Sequence, residues 1–443
     1  MAMIKGSRGH WSGKMGFILA AAGSAIGLGN IWKFPYMTGV SGGGAFVLIY
    51  LVSILIIGMP IMMAEIMIGR HTQKDPIGAF KSLKSGPYWL IGAMGILTTI
   101  IILSFYSVVA GWSIHFLYEA IFGFSGSDAS IQNIFSNLYA SGLKSSLWHT
   151  VFMLMVVGIV LGGVKNGIEK WNKILMPSLF IILIILMIYS LTLDGAPKAL
   201  SFLFKPDFSK ITPQIVLDAL GQAFFTLSLG VCMMVTYGSY LNKDSNLPTA
   251  TLTITALDTM IALIAGIVIF PIVFTFNVEP TQGPGLIFCT LPVLFAKMPG
   301  GYIIAIAFFT LLLFAALTSG ISLLEVSVSY LIDEKKFSRK KATLSAGIAV
   351  YILGFLSAWP EIKIGKTTFF DIFDKLATNI TMPLGGLLIT LFAGWFISKQ
   401  IKQDNLPKVF SSLGLDIWNF LIKYITPAFV FIIFIAKLYE LIF

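Results

Sequence analysis

Long apolar runs recur along almost the whole 443-residue chain, and they constrain the fold more than any other feature. A run of about 18 or more apolar residues is long enough to cross a bilayer as a helix. The chain is 57% hydrophobic and 11% charged, whereas a soluble domain carries about 25% charged residues. We therefore predict an all-α polytopic protein in a lipid bilayer, with eleven transmembrane helices at approximately residues 14–39, 45–70, 88–122, 147–164, 168–192, 214–241, 248–276, 301–332, 341–358, 368–397 and 415–441.

The formal net charge of +10 is compatible with a nucleic-acid partner, but the distribution of basic residues favours another interpretation. Lysine and arginine are concentrated in alternate connections between the predicted spans, including residues 335–341, as is typical of cytoplasmic segments. We predict a multi-pass protein of the cell inner (plasma) membrane, with a cytoplasmic N-terminus, an extracellular or periplasmic C-terminus and no nucleic-acid partner. Two cysteines in different apolar contexts do not predict a disulfide.

The first predicted span contains an unusual stretch, GSAIGLGNIWKFPY, at residues 23–36. Glycine in a helix interior costs about 1 kcal/mol relative to alanine, and proline removes a backbone donor. Small and hydroxyl-bearing residues interrupt a second apolar run, GQAFFTLSLGVCMMVTYGSY, at residues 221–240. Close helix packing through Gly23 and Gly27 is an alternative explanation of the first stretch. It does not account for Asn30, nor for the hydroxyl groups in the second stretch.

The two interruptions are separated by about five predicted spans. An odd-numbered unit repeated in tandem has opposite membrane orientations, which is the organisation of many secondary transporters. We therefore predict a cytoplasmic segment at residues 1–13, a first repeat at 14–192, an inverted second repeat at 214–397 and a last helix at 415–443. Unwound backbone offers carbonyl groups to cations, and helix N-termini offer N–H groups to a carboxylate. The pattern predicts a midplane site for a small zwitterion and a metal cation.

Several further motifs accompany these stretches in a specific order: GGGAF at 42–46, GMPIMMAEIMIGR at 58–70, LTSGIS at 317–322, SRKKA at 338–342 and YITPAF at 424–429. Together they resemble the neurotransmitter:sodium symporter family, and in particular its bacterial amino-acid transporters with the LeuT fold. The resemblance covers nearly the whole chain. It implies eleven helices in a 5+5 inverted repeat with helices 1 and 6 broken, and sodium-coupled amino-acid symport by alternating access.

The resemblance also implies which residues bind. The substrate would contact Ala25, Leu28, Gly29, Ile102, Tyr106, Phe225, Thr226, Ser228, Val231, Ser319 and Leu323. A first Na⁺ would be bound by Ala25, Asn30, Thr226 and Asp258, and a second by Gly23, Ile26, Ala315, Thr318 and Ser319. Oxygen ligands suit such a hard cation. Taken singly, Thr318 and Ser319 are more simply explained as hydroxyls bonded to the preceding helical turn.

Two gates follow from the same resemblance. On the outside, Lys33 and Asp374 would close over the substrate; relatives usually have arginine in place of this lysine, which cannot form a bidentate contact. On the inside, Arg8 and Asp333 would pair beneath Trp11. Without the resemblance, Arg8 would be interpreted as an ordinary basic flank of a membrane helix.

Three other positions are assigned supporting roles. Glu65, an acidic residue inside a span, is expected to cap loose backbone of the broken helices. Gly167 and Pro177, with nine residues between them, are expected to let the inner end of the fifth span unwind and admit water to the second sodium site.

Two side chains found in other members of the family are absent here, and their absence restricts which substrates and ions we expect the protein to bind. Amine-transporting members of the family have an aspartate at the position of Gly27, so the ligand here must supply the carboxylate at the first sodium site. Chloride-dependent members have asparagine at the position of Asp258 and serine one turn later, where this chain has Ala262. We expect the fixed carboxylate to replace the chloride ion.

The predicted pocket wall is largely apolar, so a charged substrate side chain would be buried without a partner. The leucine-transporting relative has phenylalanine at the position of Val231. The smaller valine is expected to enlarge the pocket of this chain. We expect bulky hydrophobic or aromatic L-amino acids as substrates. The alternative is that Met233 or Met234 fills the space.

Other classes of protein fit the sequence less well. A channel would show a repeated pore motif, and an enzyme of this kind would show grouped catalytic or metal-binding residues, whereas the four histidines are scattered. We therefore expect no enzymatic activity. A membrane amino-acid sensor or receptor without net transport remains the alternative function, and a monomer or weak dimer is the expected state.

Overall fold

The computed structural model describes residues 9–124, 126–242, 245–279, 285–406 and 412–442. Helices account for most of this part of the chain. In order they are α1 Lys14–Ala25, α2 Gly29–Val40, α3 Gly44–Thr72, α4 Pro76–Leu83, α5 Trp89–Phe122, α6 Asp128–Ala140, α7 Gly142–Leu161, α8 Val164–Leu191, α9 Ala196–Phe204, α10 Pro213–Thr226, α11 Met233–Gly238, α12 Leu247–Thr275, α13 Leu286–Lys297, α14 Gly301–Asp333, α15 Arg339–Ala358, α16 Phe369–Phe396, α17 Lys399–Asn405 and α18 Leu413–Glu440.

Nine of the helices in the described residues are long and apolar enough to cross a membrane, and the count is ten if the bent pair α1 and α2 forms one span. This confirms the prediction of a helical, multi-pass membrane protein. The observed ends lie within a few residues of most predicted boundaries, because bilayer thickness sets the length of each apolar run. Helices α10 and α11 correspond to the predicted span 214–241, but each is too short to cross a bilayer alone.

The break between α1 and α2 bends the chain by 49°. It begins at Ile26, whose backbone is extended (φ −74°, ψ 105°). The break between α10 and α11 contains three left-handed residues: Ser228 (φ 51°), Gly230 (φ 83°) and Cys232 (φ 60°). A non-glycine residue in this region is strained by its Cβ. Such a strained backbone conformation persists only where the surrounding contacts stabilise it, so packing around the second break must maintain it.

The two breaks are packed inside the bundle. Gly69 of α3 lies so close to the Val235 carbonyl of α11 that an added methyl group would overlap it. Glu65, one turn earlier on α3, is fully buried and accepts a hydrogen bond from the Gly230 N–H at 2.9 Å. This carboxylate therefore caps loose backbone in the second break, as the sequence predicted.

Several short elements connect the long helices, and the sequence had not indicated them: α4, α6, α9, α13, α17 and an antiparallel hairpin of β1 (Lys363–Ile364) with β2 (Thr367–Thr368). Most of these helices begin with ordinary capping residues. Asp75 accepts hydrogen bonds from the first turn of α4, and Ser127 does the same for α6. Residues of α6 and α13 line a cavity together with residues of α2.

Candidate functional site

The first cluster of oxygen atoms lies where α2, α10 and α12 meet. Asn30 donates from Nδ2 to Asp258 Oδ1 at 2.8 Å, and the Thr226 hydroxyl lies 3.3 and 3.4 Å from the two carboxylate oxygens of Asp258. All three side chains are buried. The structure thus brings together three of the residues expected at the first sodium site. Ala25, the fourth, ends α1 directly before the break.

The first turn of α2 faces a tyrosine hydroxyl. The Leu28 N–H lies 3.4 Å from Tyr106 Oη, and the first N–H groups of a helix have no acceptor within the helix itself. A methyl group added at Gly27 would lie 2.5 Å from Ser319 Oγ and 3.1 Å from Tyr106 Oη. The backbone at Gly27 is therefore in close contact with α5 and α14, and no side chain fits there without displacing Ser319.

A second cluster of oxygen atoms joins the first break to α14. The Thr318 hydroxyl lies 3.4 Å from the Ile26 carbonyl and 3.0 Å from the Ala315 carbonyl. The Ser319 hydroxyl lies 3.3 Å from the Ile26 carbonyl and 3.5 Å from the Gly23 carbonyl. All five residues expected at the second sodium site therefore surround one small volume. Hydroxyl and carbonyl oxygens are the ligands that a hard monovalent cation prefers.

The residues expected to contact the substrate all line one narrow cavity between the two clusters. Its volume of about 40 Å³ is that of a closely packed pocket, and its walls are mostly apolar. Ile102 and Tyr106 lie one turn apart on α5, and Ser319 and Leu323 are related in the same way on α14, so each pair presents one helix face.

Two methionines in this wall were not among the expected contacts. Met233 is the first residue of α11, and Met382 follows a widened turn at 376–381 in α16. A methionine within an apolar run gives no sequence signal that separates a pocket residue from a core residue. Met233 lines the cavity together with Val231.

Further buried polar groups lie near Asp258 and the start of α2. Tyr50 is fully buried close to Asp258, Thr226 and Thr259. Gln222 donates from Nε2 to the Gly29 carbonyl at 2.9 Å, and its Oε1 has no hydrogen-bond partner among the described residues. Together with the carboxylate of Asp258, this region therefore holds buried hydroxyl and amide groups.

The outer gate residues do not pair in this structure. The Lys33 ammonium lies over the ring of Phe225, 3.8 Å from its centroid, and among the described residues it forms no direct ion pair with Asp374. Both side chains line a largely aromatic cavity of about 390 Å³ on the outer side of Phe225. In this structure the lysine therefore contacts the ring face of Phe225 and not the carboxylate.

The inner end of the site is closed by Trp11. Its indole N–H donates to the Tyr237 carbonyl at 3.0 Å, and its ring packs edge-on against Tyr237 and Tyr240. Asp333 accepts a hydrogen bond from the Asp75 N–H at 3.0 Å. Arg8, the expected partner of Asp333, lies outside the described residues.

A helical membrane protein with two discontinuous helices around clustered oxygen atoms has the architecture of a secondary transporter. The sequence model of the sodium:neurotransmitter symporter family matches residues 8–125 and 129–442. The chain belongs to that family, which consists of transporters, and Na⁺ is the coupling ion.

Individual relatives and a solved structure support this family assignment. The uncharacterized sodium-dependent transporter YhdH of Bacillus subtilis is 40% identical, over 96% of this chain and 97% of its own length. An uncharacterized sodium-dependent transporter of Haemophilus influenzae is 36% identical, with 98% of each chain covered. The crystal structure of MhsT in complex with L-phenylalanine has a TM-score of 0.89 and 43% identity, and covers 97% of this chain and all of its own.

Proposed function

We propose that the chain is a sodium-coupled secondary symporter of bulky hydrophobic or aromatic L-amino acids. The observation that carries this proposal is the arrangement of the site: the expected substrate contacts line one cavity, and an oxygen cluster lies at each side of it. A sensor or receptor without net transport would not require two separate oxygen clusters. Sodium dependence in the named relatives also favours transport.

The backbone of the first break would bind the polar ends of the amino acid. The N–H groups of Leu28 and Gly29, with the Tyr106 hydroxyl, would bind the carboxylate, which would also complete the first sodium site. The ammonium group would contact carbonyls of Ala25 and Phe225. Because Gly27 has no room for an acidic side chain, a ligand without its own carboxylate would leave that sodium ion incompletely coordinated.

The side chain of the substrate would occupy the apolar end of the cavity, near Val231 and Leu323. A charged substrate side chain would be buried there without a partner, which disfavours charged amino acids. MhsT was crystallised with L-phenylalanine, and its high similarity supports a large apolar substrate here. Met233 would move aside to admit such a substrate, since methionine has several low-energy rotamers.

Transport would be independent of chloride. In this proposal the fixed carboxylate of Asp258 supplies the negative charge beside the first sodium site. Tyr50 and Gln222 retain the polar surroundings of an anion, but Ala262 has no hydroxyl with which to bind one. A second anion next to the buried carboxylate would be repelled.

Alternating access would use the two breaks as hinges. Trp11 closes the inner side here, while a cavity lies outside Phe225. After substrate and sodium bind, Lys33 and Asp374 would approach each other and close the outer side. The inner side would then open through Trp11, the pair Arg8–Asp333, and unwinding between Gly167 and Pro177.

The proposed topology has eleven spans. Helices α1 and α2 would together form span 1, and α10 and α11 would form span 6. The other nine spans would be α3, α5, α7, α8, α12, α14, α15, α16 and α18. Residues 14–192 and 214–397 would be the inverted repeats, with 1–13 in the cytoplasm and the helix at 415–443 outside the repeat. The N-terminus would be cytoplasmic, the C-terminus external, and the protein a monomer or weak dimer.

Uptake of labelled amino acids into proteoliposomes tests the proposal. With an inward sodium gradient, labelled leucine or phenylalanine should accumulate, and a potassium gradient of the same size should give no accumulation. Sodium-dependent binding without accumulation would support the sensor alternative. Accumulation that is indifferent to sodium would refute the coupling.

A further inference from the structure

Phe225 and Met382 line the substrate cavity and also a second, larger cavity. This second cavity has a volume of about 360 Å³ and lies among α2, α10, α16 and α18. Its lining includes the charged residues Asp218, Asp374 and Lys437, and we call it the polar outer cavity. The side chains of Phe225 and Met382 therefore lie between the polar outer cavity and the substrate cavity.

The backbone of α16 is packed against the second break beside Met382. A methyl group added at Gly230 would overlap the Met382 carbonyl and would lie 2.6 Å from the Gly386 nitrogen. A methyl group added at Gly385 would overlap the Gly230 carbonyl. Backbones packed this closely leave little room for α16 to shift. Any adjustment of this wall to a substrate must therefore come from the side chain of Met382.

A widened turn at 376–381 directly precedes Met382 in α16. Such a turn contains an extra residue and changes the face on which the following residues lie. Thr378 and Pro383 line the polar outer cavity and not the substrate cavity. Met382 is thus the one residue of α16, among those that the structure describes, that lines the substrate cavity.

The substrate cavity is too small for a bulky amino acid as it stands. Its volume of about 40 Å³ holds only a few water molecules, so an aromatic side chain must displace part of the wall. Met233, the other methionine of this wall, is 0% exposed and does not line the polar outer cavity. Met382 has the larger volume directly behind it.

Of the two side chains between the cavities, Met382 is the one that moves more easily. The Lys33 ammonium lies 3.8 Å from the centroid of the Phe225 ring, and this contact favours the present position of the ring. Methionine is unbranched and has three rotatable bonds, so it changes rotamer at little cost. The apolar residues Phe224 and Pro383 also line the polar outer cavity and offer a displaced thioether new contacts.

We propose that Met382 is a specificity-determining residue whose side chain moves between the two cavities according to the size of the substrate. With an aromatic amino acid bound, it enters the polar outer cavity. With an aliphatic amino acid such as leucine bound, it stays in the wall and keeps its dispersion contacts with the smaller side chain. The inference rests on the proposed function and states how one site accepts substrates of different size.

The test compares three variants with the wild-type protein. Met382→Ile keeps a similar volume but introduces a β-branched side chain with few rotamers. Met382→Ala removes the movable part of the wall. Met37→Ile is the matched control, because Met37 of α2 lines the polar outer cavity and not the substrate cavity. Unlabelled leucine, phenylalanine and tryptophan compete with labelled leucine for purified protein in sodium buffer, and a melting curve monitors folding.

In Met382→Ile, the affinities for phenylalanine and tryptophan should fall by about 10-fold or more relative to that for leucine, because a stiff wall makes the pocket overpacked. In Met382→Ala, the ratio should change in the opposite direction. Leucine should lose about 5-fold or more relative to phenylalanine, since it loses the contacts with the thioether while the ring no longer has to displace it. Met37→Ile should keep the wild-type ratios.

Three results would overturn the inference. One is a wild-type ratio of affinities in the Met382 variants, and if only one of these variants folds, its ratio decides alone. Another is equal weakening of all three amino acids with a lowered melting temperature, which would assign Met382 a structural role. The third is the same change of ratio in Met37→Ile. Failure of the proposed function is distinguishable from these results, because wild-type protein would then accumulate no amino acid under a sodium gradient.

Discussion

Removing the two hydroxyls of the second oxygen cluster should abolish sodium-driven accumulation. Thr318→Val keeps the shape of the side chain, and Ser319→Ala removes little more than the oxygen. Three backbone carbonyls remain out of five expected ligands, those of Gly23, Ile26 and Ala315. A contact between a polar group and an ion contributes about 1.5 to 3 kcal/mol. Losing two such contacts should weaken sodium binding at this site by about 100-fold or more.

The assay is sodium-dependent uptake of a labelled amino acid into proteoliposomes, with the folded state checked by a melting curve. Ser319 also lines the substrate cavity, whereas Thr318 does not. Thr318→Val alone should therefore weaken sodium dependence by about 10-fold or more and leave the order of substrate preference unchanged. Ser329→Ala is the control, because Ser329 is a buried serine on α14 with its hydroxyl bonded to Val326. Undiminished accumulation in the double variant would show that the second site is elsewhere.

Two further predictions concern the ions and the pocket. Wild-type transport should be unchanged when chloride is replaced by gluconate, and a loss of activity on replacement would contradict the role given to Asp258. Asp258→Asn should lower transport by at least about 10-fold, because a charged ligand of sodium is lost, and Ala262→Ser in that background should restore activity only with chloride present. Val231→Phe should weaken competition by phenylalanine and tryptophan more than by leucine, since the added ring fills the apolar end of the cavity. A wild-type preference for glycine or alanine in the same competition assay would show that Met233 fixes a small pocket.

The membrane-spanning helices were predictable because a bilayer imposes one length on every apolar run. The connectors were not, since short helices such as α6 and α13 depend on contacts made after the long helices have assembled. Both breaks were indicated by glycine and hydroxyl residues at unfavourable positions. The left-handed backbone of Ser228 and Cys232 had no such signal, because neither residue type favours it.

The candidate site was predicted from the family resemblance. That prediction covers only the residues whose positions the motifs define. Motifs placed Thr318 and Ser319 near the first break, and the hydrogen-bond distances agree with that placement. They did not indicate Met382, which enters the cavity from α16 because of a widened turn before it. The motifs also predicted that Lys33 pairs with Asp374, although relatives usually have arginine at the position of this lysine. Lysine has a flexible stem and no fixed fork, so its position depends on the nearest favourable surface, here the ring of Phe225.

On the proposed function, the charges at the first sodium site favour a zwitterion as the substrate. Asp258 contributes one buried negative charge, and a sodium ion bound by Asn30, Thr226 and Asp258 would neutralise it. An amino acid with an apolar side chain then adds no net charge, because its carboxylate lies toward the sodium ion and its ammonium toward backbone carbonyls. A monoamine would bring one uncompensated positive charge into the same buried volume, and the close packing at Gly27 leaves no space for a side chain that could balance it. On the proposed function we therefore expect selection against monoamines from charge and space together, whatever the size of the apolar end of the cavity.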